Sequence, residues 1–180
     1  MSISSRHVLA VVGSLQARSS NAALVNAIQP MLGPAIKLVT TRALHDLPPF
    51  NPDNESENVP TAVVAWRAEL AAAPVVILAT PEYAFGIAGS LKNALDWVVG
   101  SGEFVGKPVA LLGASTMATG AGLALEALER TIRVMSADVL TVLSVAHVRA
   151  KIDHEGNVID EETRAALGSL AEKIVDRLTQ

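Results

Sequence analysis

The chain has 180 residues, half of them hydrophobic, with 14 Lys and Arg against 18 Asp and Glu for a formal net charge of −4. That length is most simply one domain, spanning residues 1–180 and large enough to bury a full core. Scattered basic residues leave no electrostatic footprint for nucleic acid, the lack of cysteine excludes disulfides and thiol chemistry, and no apolar run approaches the roughly 18–20 residues that cross a bilayer.

Residues 7–13 read as a first strand. Arg6 precedes this apolar run, but the run is too brief for a signal peptide and no small-residue cleavage pattern follows it, so a cytoplasmic protein with no membrane partner is expected. Residues 20–32 show helical spacing through Leu24, Val25 and Ile28, and 36–40 form a second strand. A Pro- and Asn-rich connection over 47–60 is long and polar enough to suggest a functional loop. A helix over 61–72, with Trp66 and Leu70 as apolar members, leads to a third strand over 75–79. That strand is short, wholly apolar and β-branched, as a central strand covered on both faces should be. Helices over 89–99, 120–136 and 161–178 alternate with strands over 107–113 and 139–145, and the last helix opens on acidic residues, as its dipole prefers. Such alternation implies a parallel sheet with helices on both faces. Handedness and strand count favour a flavodoxin-like three-layer α/β sandwich, its five-stranded parallel sheet ordered 2-1-3-4-5. His7, His45, His147 and His154 lack ligand spacing and read as loop or strand-end residues, so no metal site is expected.

Three connections then fall at the carboxyl ends of neighbouring strands, where open α/β sheets bind ligands. The first carries Ser14, Gln16, Arg18, Ser19 and Asn21 ahead of a helix, whose unpaired N–H groups favour an anion. It lacks both the Lys-Ser/Thr ending of a triphosphate loop and the Gly-x-Gly-x-x-Gly turn of a dinucleotide fold, so a terminal monophosphate fits it best. Ser19, Ser20 and Asn21 equally suit a plain helix cap.

The second connection, residues 81–97, holds Tyr83, Phe85 and Trp97 in a chain with only three Phe, two Trp and one Tyr. Pro81, Glu82, Tyr83, Ala84, Phe85 and Gly86 form a turn that brings aromatic surface and close backbone to a flat ligand. Glu82 either braces the loop or contacts a ligand. Lys92 and Asp96, four apart, read as a surface pair, and Trp97 as core or subunit contact. The third connection supplies Ser115, Thr116 and Gly120 before another helix, where N–H dipoles meet negative charge on a reduced ring.

Together these loops resemble the NADPH-dependent FMN reductase family of flavodoxin-like proteins, which includes quinone and chromate reductases. The resemblance rests on the Gly-Ser start of the first loop with Ser19 and Asn21, and above all on Pro81-Glu82-Tyr83, Gly89 and Leu91-Lys92-Asn93-Ala94-Leu95-Asp96-Trp97. It implies that Ser14, Ser19 and Asn21 help hold the FMN phosphate, that the turn from Pro81 to Gly86 borders the isoalloxazine, and that Ser115 to Gly120 lies along its other polar edge. It also implies a homodimer or homotetramer, pairing through helices that carry Leu91, Leu95, Trp97 and Val98, and Leu125, Leu128, Ile132 and Met135. Gln16 stands where many members have Arg, and Ala84, Phe85 and Gly86 stand where many have Asn, an aromatic and Ser. Weaker flavin binding is therefore expected.

No obvious acid, base or nucleophile is offered, so the redox chemistry belongs to the cofactor. The expected reaction passes hydride from NADPH or NADH through FMN to a quinone, free flavin or similar flat acceptor in two half-reactions. A flavodoxin-type electron carrier and a non-catalytic flavin-binding module are the other two readings.

Overall fold

The computed structural model describes residues 6–180, and residues 1–5, which the leader reading touches, lie outside them. In chain order the strands are β1 (His7–Val12), β2 (Lys37–Thr40), β3 (Val75–Thr80), β4 (Glu82–Tyr83), β5 (Gly86–Ile87), β6 (Pro108–Ala114) and β7 (Asp138–Val145). The helices are α1 (Ser20–Ile28), α2 (Ala43–Asp46), α3 (Thr61–Ala72), α4 (Gly89–Asp96), α5 (Gly122–Val134) and α6 (Glu161–Thr179). Five strands make one parallel sheet in the order β2-β1-β3-β6-β7, which is the expected 2-1-3-4-5 winding once the small β4-β5 hairpin is set apart.

Side chains alternate along each strand, so the sheet feeds two cores. Leu9, Val11, Val76, Leu78, Val109 and Leu111 face one core, together with Trp66 of α3, Leu91 of α4 and Leu128 of α5. Val8, Ala10, Val75, Ile77, Ala110 and Leu112 face the other, with Leu24 of α1 and Leu170 of α6. All six residues of β3 are buried, because helices cover both of its faces. Among the described residues no helix is long and apolar enough to cross a membrane.

Element ends differ from the sequence reading where local chemistry intervenes. The helix expected over 20–32 stops at Ile28. Pro30 has no N–H to continue the ladder, and the chain tightens into a 3-10 turn over Gln29–Leu32 before Gly33 at φ 78°. The helix expected over 89–99 ends at Asp96, and the one over 120–136 starts at Gly122. The 47–60 connection is preceded by the unforeseen α2 and contains a 3-10 turn at Pro52–Asn54.

That connection is clasped to α4. Asn93 accepts the Phe50 N–H at 2.7 Å through Oδ1 and donates to the Pro48 carbonyl at 2.9 Å through Nδ2. Trp97 donates its indole N–H to the same carbonyl at 2.8 Å, and Phe50 meets the Trp97 ring edge to face at 5.1 Å. The Leu91–Trp97 motif is thus largely a structural fastening. Lys92 and Asp96 form the expected surface pair at 2.6 Å. The eight apolar residues expected to carry subunit pairing are all buried in this chain's own core, while Val99, Leu123 and Val134 are the exposed apolar side chains of that region.

Replacing Asn93 with Ala leaves the Pro48 carbonyl and Phe50 N–H without these partners. The Asn93→Ala variant should therefore unfold with about 1–3 kcal/mol less stability in a urea titration. An unchanged midpoint would show that the clasp contributes nothing.

Candidate functional site

Parallel pairing sets Val12 opposite Ala79 and Thr80 opposite Gly113, so the connections after β1, β3 and β6 leave the sheet at one edge. At the centre of that edge the first two connections interlock. Gly13 donates its N–H to the Ala79 carbonyl at 2.7 Å, and its own carbonyl accepts the Ser90 hydroxyl from the first turn of α4, also at 2.7 Å. A Cβ at Gly13 would stand 3.0 Å from the Leu91 Cβ and 3.3 Å from that of Ala88. Glycine is what lets α4 approach so closely.

The second connection is a hairpin, in which β4 and β5 pair Glu82 with Ile87 and Tyr83 with Gly86. Thr80, buried at the end of β3, closes its base by accepting the Ala88 N–H at 3.3 Å and donating to the Pro81 carbonyl at 2.8 Å. The two-residue tip, Ala84 and Phe85, has φ of 49° and 62°. A tight hairpin turn needs left-handed backbone at both positions, which Asn and Gly tolerate and other residues adopt at a cost. Tyr83 is half exposed and Phe85 is 74% exposed, so the turn lifts aromatic surface off the protein.

Glu82 points the other way. Its Oε2 accepts the Ala124 N–H at 3.0 Å, within the first turn of α5. The N-cap residue of α5, Ala121, has no side chain able to do this, and the first turn has no acidic residue of its own. Glu82 therefore caps α5 from a distance and places its carboxylate at the positive end of the helix. This bond ties the second connection to the start of α5.

In the first connection Ser19 is the N-cap of α1, accepting the Ala22 N–H at 3.3 Å. Asn21 is buried and its amide bonds the end of β6 twice: Nδ2 donates to the Ala114 carbonyl at 3.3 Å and Oδ1 accepts the Ala114 N–H at 3.0 Å. Ser14 Oγ accepts the Gln16 N–H at 3.4 Å. The N–H groups of Ser14, Leu15, Ala17 and Arg18, and those of Ser20 and Asn21 in the first turn of α1, make no hydrogen bond among the described residues. Such a row of open donors at a helix start is the donor set that a phosphate requires. FMN, which the resemblance implies, is compatible with it.

The third connection is braced from outside. Ser115 donates its N–H to the Val145 carbonyl and accepts that of Val148, both at 3.1 Å, and its hydroxyl accepts the Met117 N–H at 3.2 Å. Gly120, at φ 62°, lies so close to Ser144 that a Cβ there would overlap the hydroxyl. Thr116 is exposed.

A depression of about 440 Å³ lies between the first two connections, lined chiefly by Gly13, Leu15, Gln16, Tyr83, Gly89 and Ser90. Its size falls in the roughly 300–1,000 Å³ range of small-molecule sites. Gln16 and Tyr83 meet here. Arg18 and Ser19 line a neighbouring cavity, whereas Ser115, Thr116 and Gly120 share the edge without lining either space. Thr80 and Ser90 were not singled out in the sequence. Thr80 left a trace as the polar residue closing an apolar strand, and Ser90 left none.

Ala84→Asn removes left-handed strain at the hairpin tip without touching the core. It should raise unfolding stability by about 0.5–1 kcal/mol in thermal denaturation. A lowered midpoint would mean that the tip does not hold this conformation in solution.

The sequence model of the NADPH-dependent FMN reductase family matches residues 6–151. An NAD(P)H-dependent FMN reductase of Pseudomonas aeruginosa is 31% identical over 161 residues, covering 87% of this chain and 86% of its own. A 2-hydroxy-1,4-benzoquinone reductase of a Burkholderia species is 30% identical over 171 residues and covers 92% of each chain. Among solved structures, a flavoenzyme NAD(P)H:(acceptor) oxidoreductase of Paracoccus denitrificans superposes over 97% of both chains with a TM-score of 0.83 at 27% identity. With the family pattern running from β1 past the end of β7 and the fold matched over nearly the whole length, the chain belongs to the NADPH-dependent FMN reductases, oxidoreductases that work with FMN and NAD(P)H.

Proposed function

We propose that this protein is an FMN-dependent NAD(P)H reductase that delivers electrons to a quinone, free flavin or similar flat acceptor in two alternating half-reactions. The observation that carries this reading is the depression between Gly13–Gln16 and Tyr83–Ser90, set beside a row of open backbone donors at the start of α1. When bound, FMN would supply the hydride acceptor and donor that the side chains lack.

The chain's own part is to hold and to shape. The N–H groups of the first connection and of the α1 start would take the phosphate, with Ser14 and Ser19 beside them. Asn21 would act through the backbone, because its amide already ties α1 to β6. Gln16 offers neutral hydrogen bonds where an arginine would add charge. Pro81, Glu82, Tyr83, Ala84, Phe85 and Gly86 form a hairpin whose backbone borders the ring position, and Glu82 stiffens it by anchoring to α5. Ser115, Thr116 and Gly120 would flank the opposite polar edge. Because this rim is built from backbone and clamped loops, its contribution is orientation and a fixed set of dipoles rather than proton transfer. The exposed faces of Tyr83 and Phe85 suit a flat apolar acceptor that replaces the departing nicotinamide.

The same reading includes pairing of copies, for which Leu123 and Val134 on α5 are the available apolar surface. Light scattering at micromolar concentration should give a dimer or tetramer mass, and a monomer would remove this element. For the reaction itself, purified protein should show a flavin spectrum that NADPH bleaches under anaerobic conditions. Varied NADPH and quinone should then give parallel double-reciprocal lines. Intersecting lines would replace alternation with a ternary complex, and protein that neither carries nor accepts FMN would overturn the reading.

A further inference from the structure

Between Gly89 and the Leu91–Trp97 run stands Ser90, the one residue of that stretch outside the motif that carries the family resemblance. It lies in the first turn of α4, where a serine hydroxyl ordinarily finds backbone partners close to it in sequence. This one does not use them. It reaches across a separation of 77 residues to donate to the Gly13 carbonyl at 2.7 Å, and among the described residues no other group bonds that carbonyl.

The reason for such a bond lies in Gly13. Close packing of α4 on the end of β1 requires a residue without a Cβ at this point, and glycine is also the residue whose backbone turns most freely. The Ala79 carbonyl holds Gly13 through its N–H at 2.7 Å, and Ser90 holds it through its carbonyl. A trans peptide is planar, with its carbonyl and its N–H pointing opposite ways. The Gly13 carbonyl is turned to α4, so the N–H of Ser14, which belongs to the same peptide, points away from α4. That N–H is the first of the open donors in the connection. Without the Ser90 hydroxyl, the peptide between Gly13 and Ser14 is free to rotate and the donor loses its aim.

We infer that Ser90 is a positioning residue for the flavin phosphate, aiming the Ser14 N–H at the phosphate oxygens by holding the Gly13 carbonyl. The inference rests on the reading of the first connection as the loop that takes the phosphate. Ser90 acts through Gly13, because the single hydrogen of its hydroxyl is already engaged there. A donor fixed in advance binds an anion more tightly than one that must be ordered on binding.

Quenching of flavin fluorescence separates phosphate from ring, because riboflavin is FMN without the phosphate. Ser90→Ala should bind FMN about tenfold or more weakly than the unaltered chain, and riboflavin within about twofold of it. Ser90→Thr, which keeps the hydroxyl, should keep the FMN affinity. In an amide-resolved NMR spectrum of the flavin-free protein, FMN should move the Ser14 amide proton downfield and riboflavin should not. This second measurement uses the unaltered chain and stands even if Ser90→Ala fails to fold. Unchanged FMN binding by Ser90→Ala, or a Ser14 amide that does not respond to the phosphate, would overturn the assignment. So would an equal loss with FMN and riboflavin, or a Thr variant as weak as the Ala variant, by making Ser90 a ring contact from the wall of the depression or a packing residue. In all these outcomes the unaltered chain binds flavin; a chain that binds neither flavin would instead sink the underlying reading, and this inference with it.

Discussion

Complete burial of β3 is the constraint from which the rest of the molecule follows. None of the six residues from Val75 to Thr80 reaches solvent, so every backbone N–H and carbonyl there needs a protein partner. β1 and β6 supply them as parallel neighbours. A parallel sheet sends all its strands out at the same edge, so Gly13, Pro81 and Ser115 emerge side by side.

What stands at that edge is shaped mostly by clamps, and several polar residues with the look of ligand contacts are holding the protein together. Asn21 ties α1 to the end of β6, Glu82 caps α5, and Ser90 grips the Gly13 carbonyl. Each bond links one connection to an element that begins at another. A shift in one loop is therefore transmitted to its neighbours, which is the stiffness that a site acting by orientation requires. The groups left open among the described residues are of another kind: unengaged N–H groups of the first connection, exposed aromatic faces on the hairpin, and the unpaired guanidinium group of Arg18.

The hairpin tip shows how such a rim is maintained against local preference. Ala84 and Phe85 both take left-handed backbone, a conformation each would avoid in a free chain. Thr80 at the base and Glu82 beyond it over-determine the turn. The 47–60 connection is held in a similar way, with Asn93 and Trp97 fastening a long polar loop to α4 through one carbonyl, that of Pro48, and one N–H, that of Phe50.

Sheet order, the positions of the five main strands and the location of the rim were legible in the sequence, since period-2 and period-3.6 burial patterns and a doubly covered apolar strand are local signals that the tertiary fold obeys. Helix ends were less legible: Pro30 curtails α1, and α2 is too short for periodicity to reveal. The β4-β5 hairpin escaped notice because Ala84-Phe85 is not a sequence that announces left-handed backbone, and only the closure at Thr80 imposes it. Composition and motif placed Ser19, Asn21 and Glu82 at the site but could not say which atoms each would face, because hydrogen bonds between residues as distant as Asn21 and Ala114 depend on how α1 packs across the sheet. Nor did any spacing bring Ser90 to the Gly13 carbonyl. Sequence determined which segments would be buried and where the chain must turn; the packing of helices from remote parts of the chain alone decided which polar groups were consumed as braces and which were left free to bind.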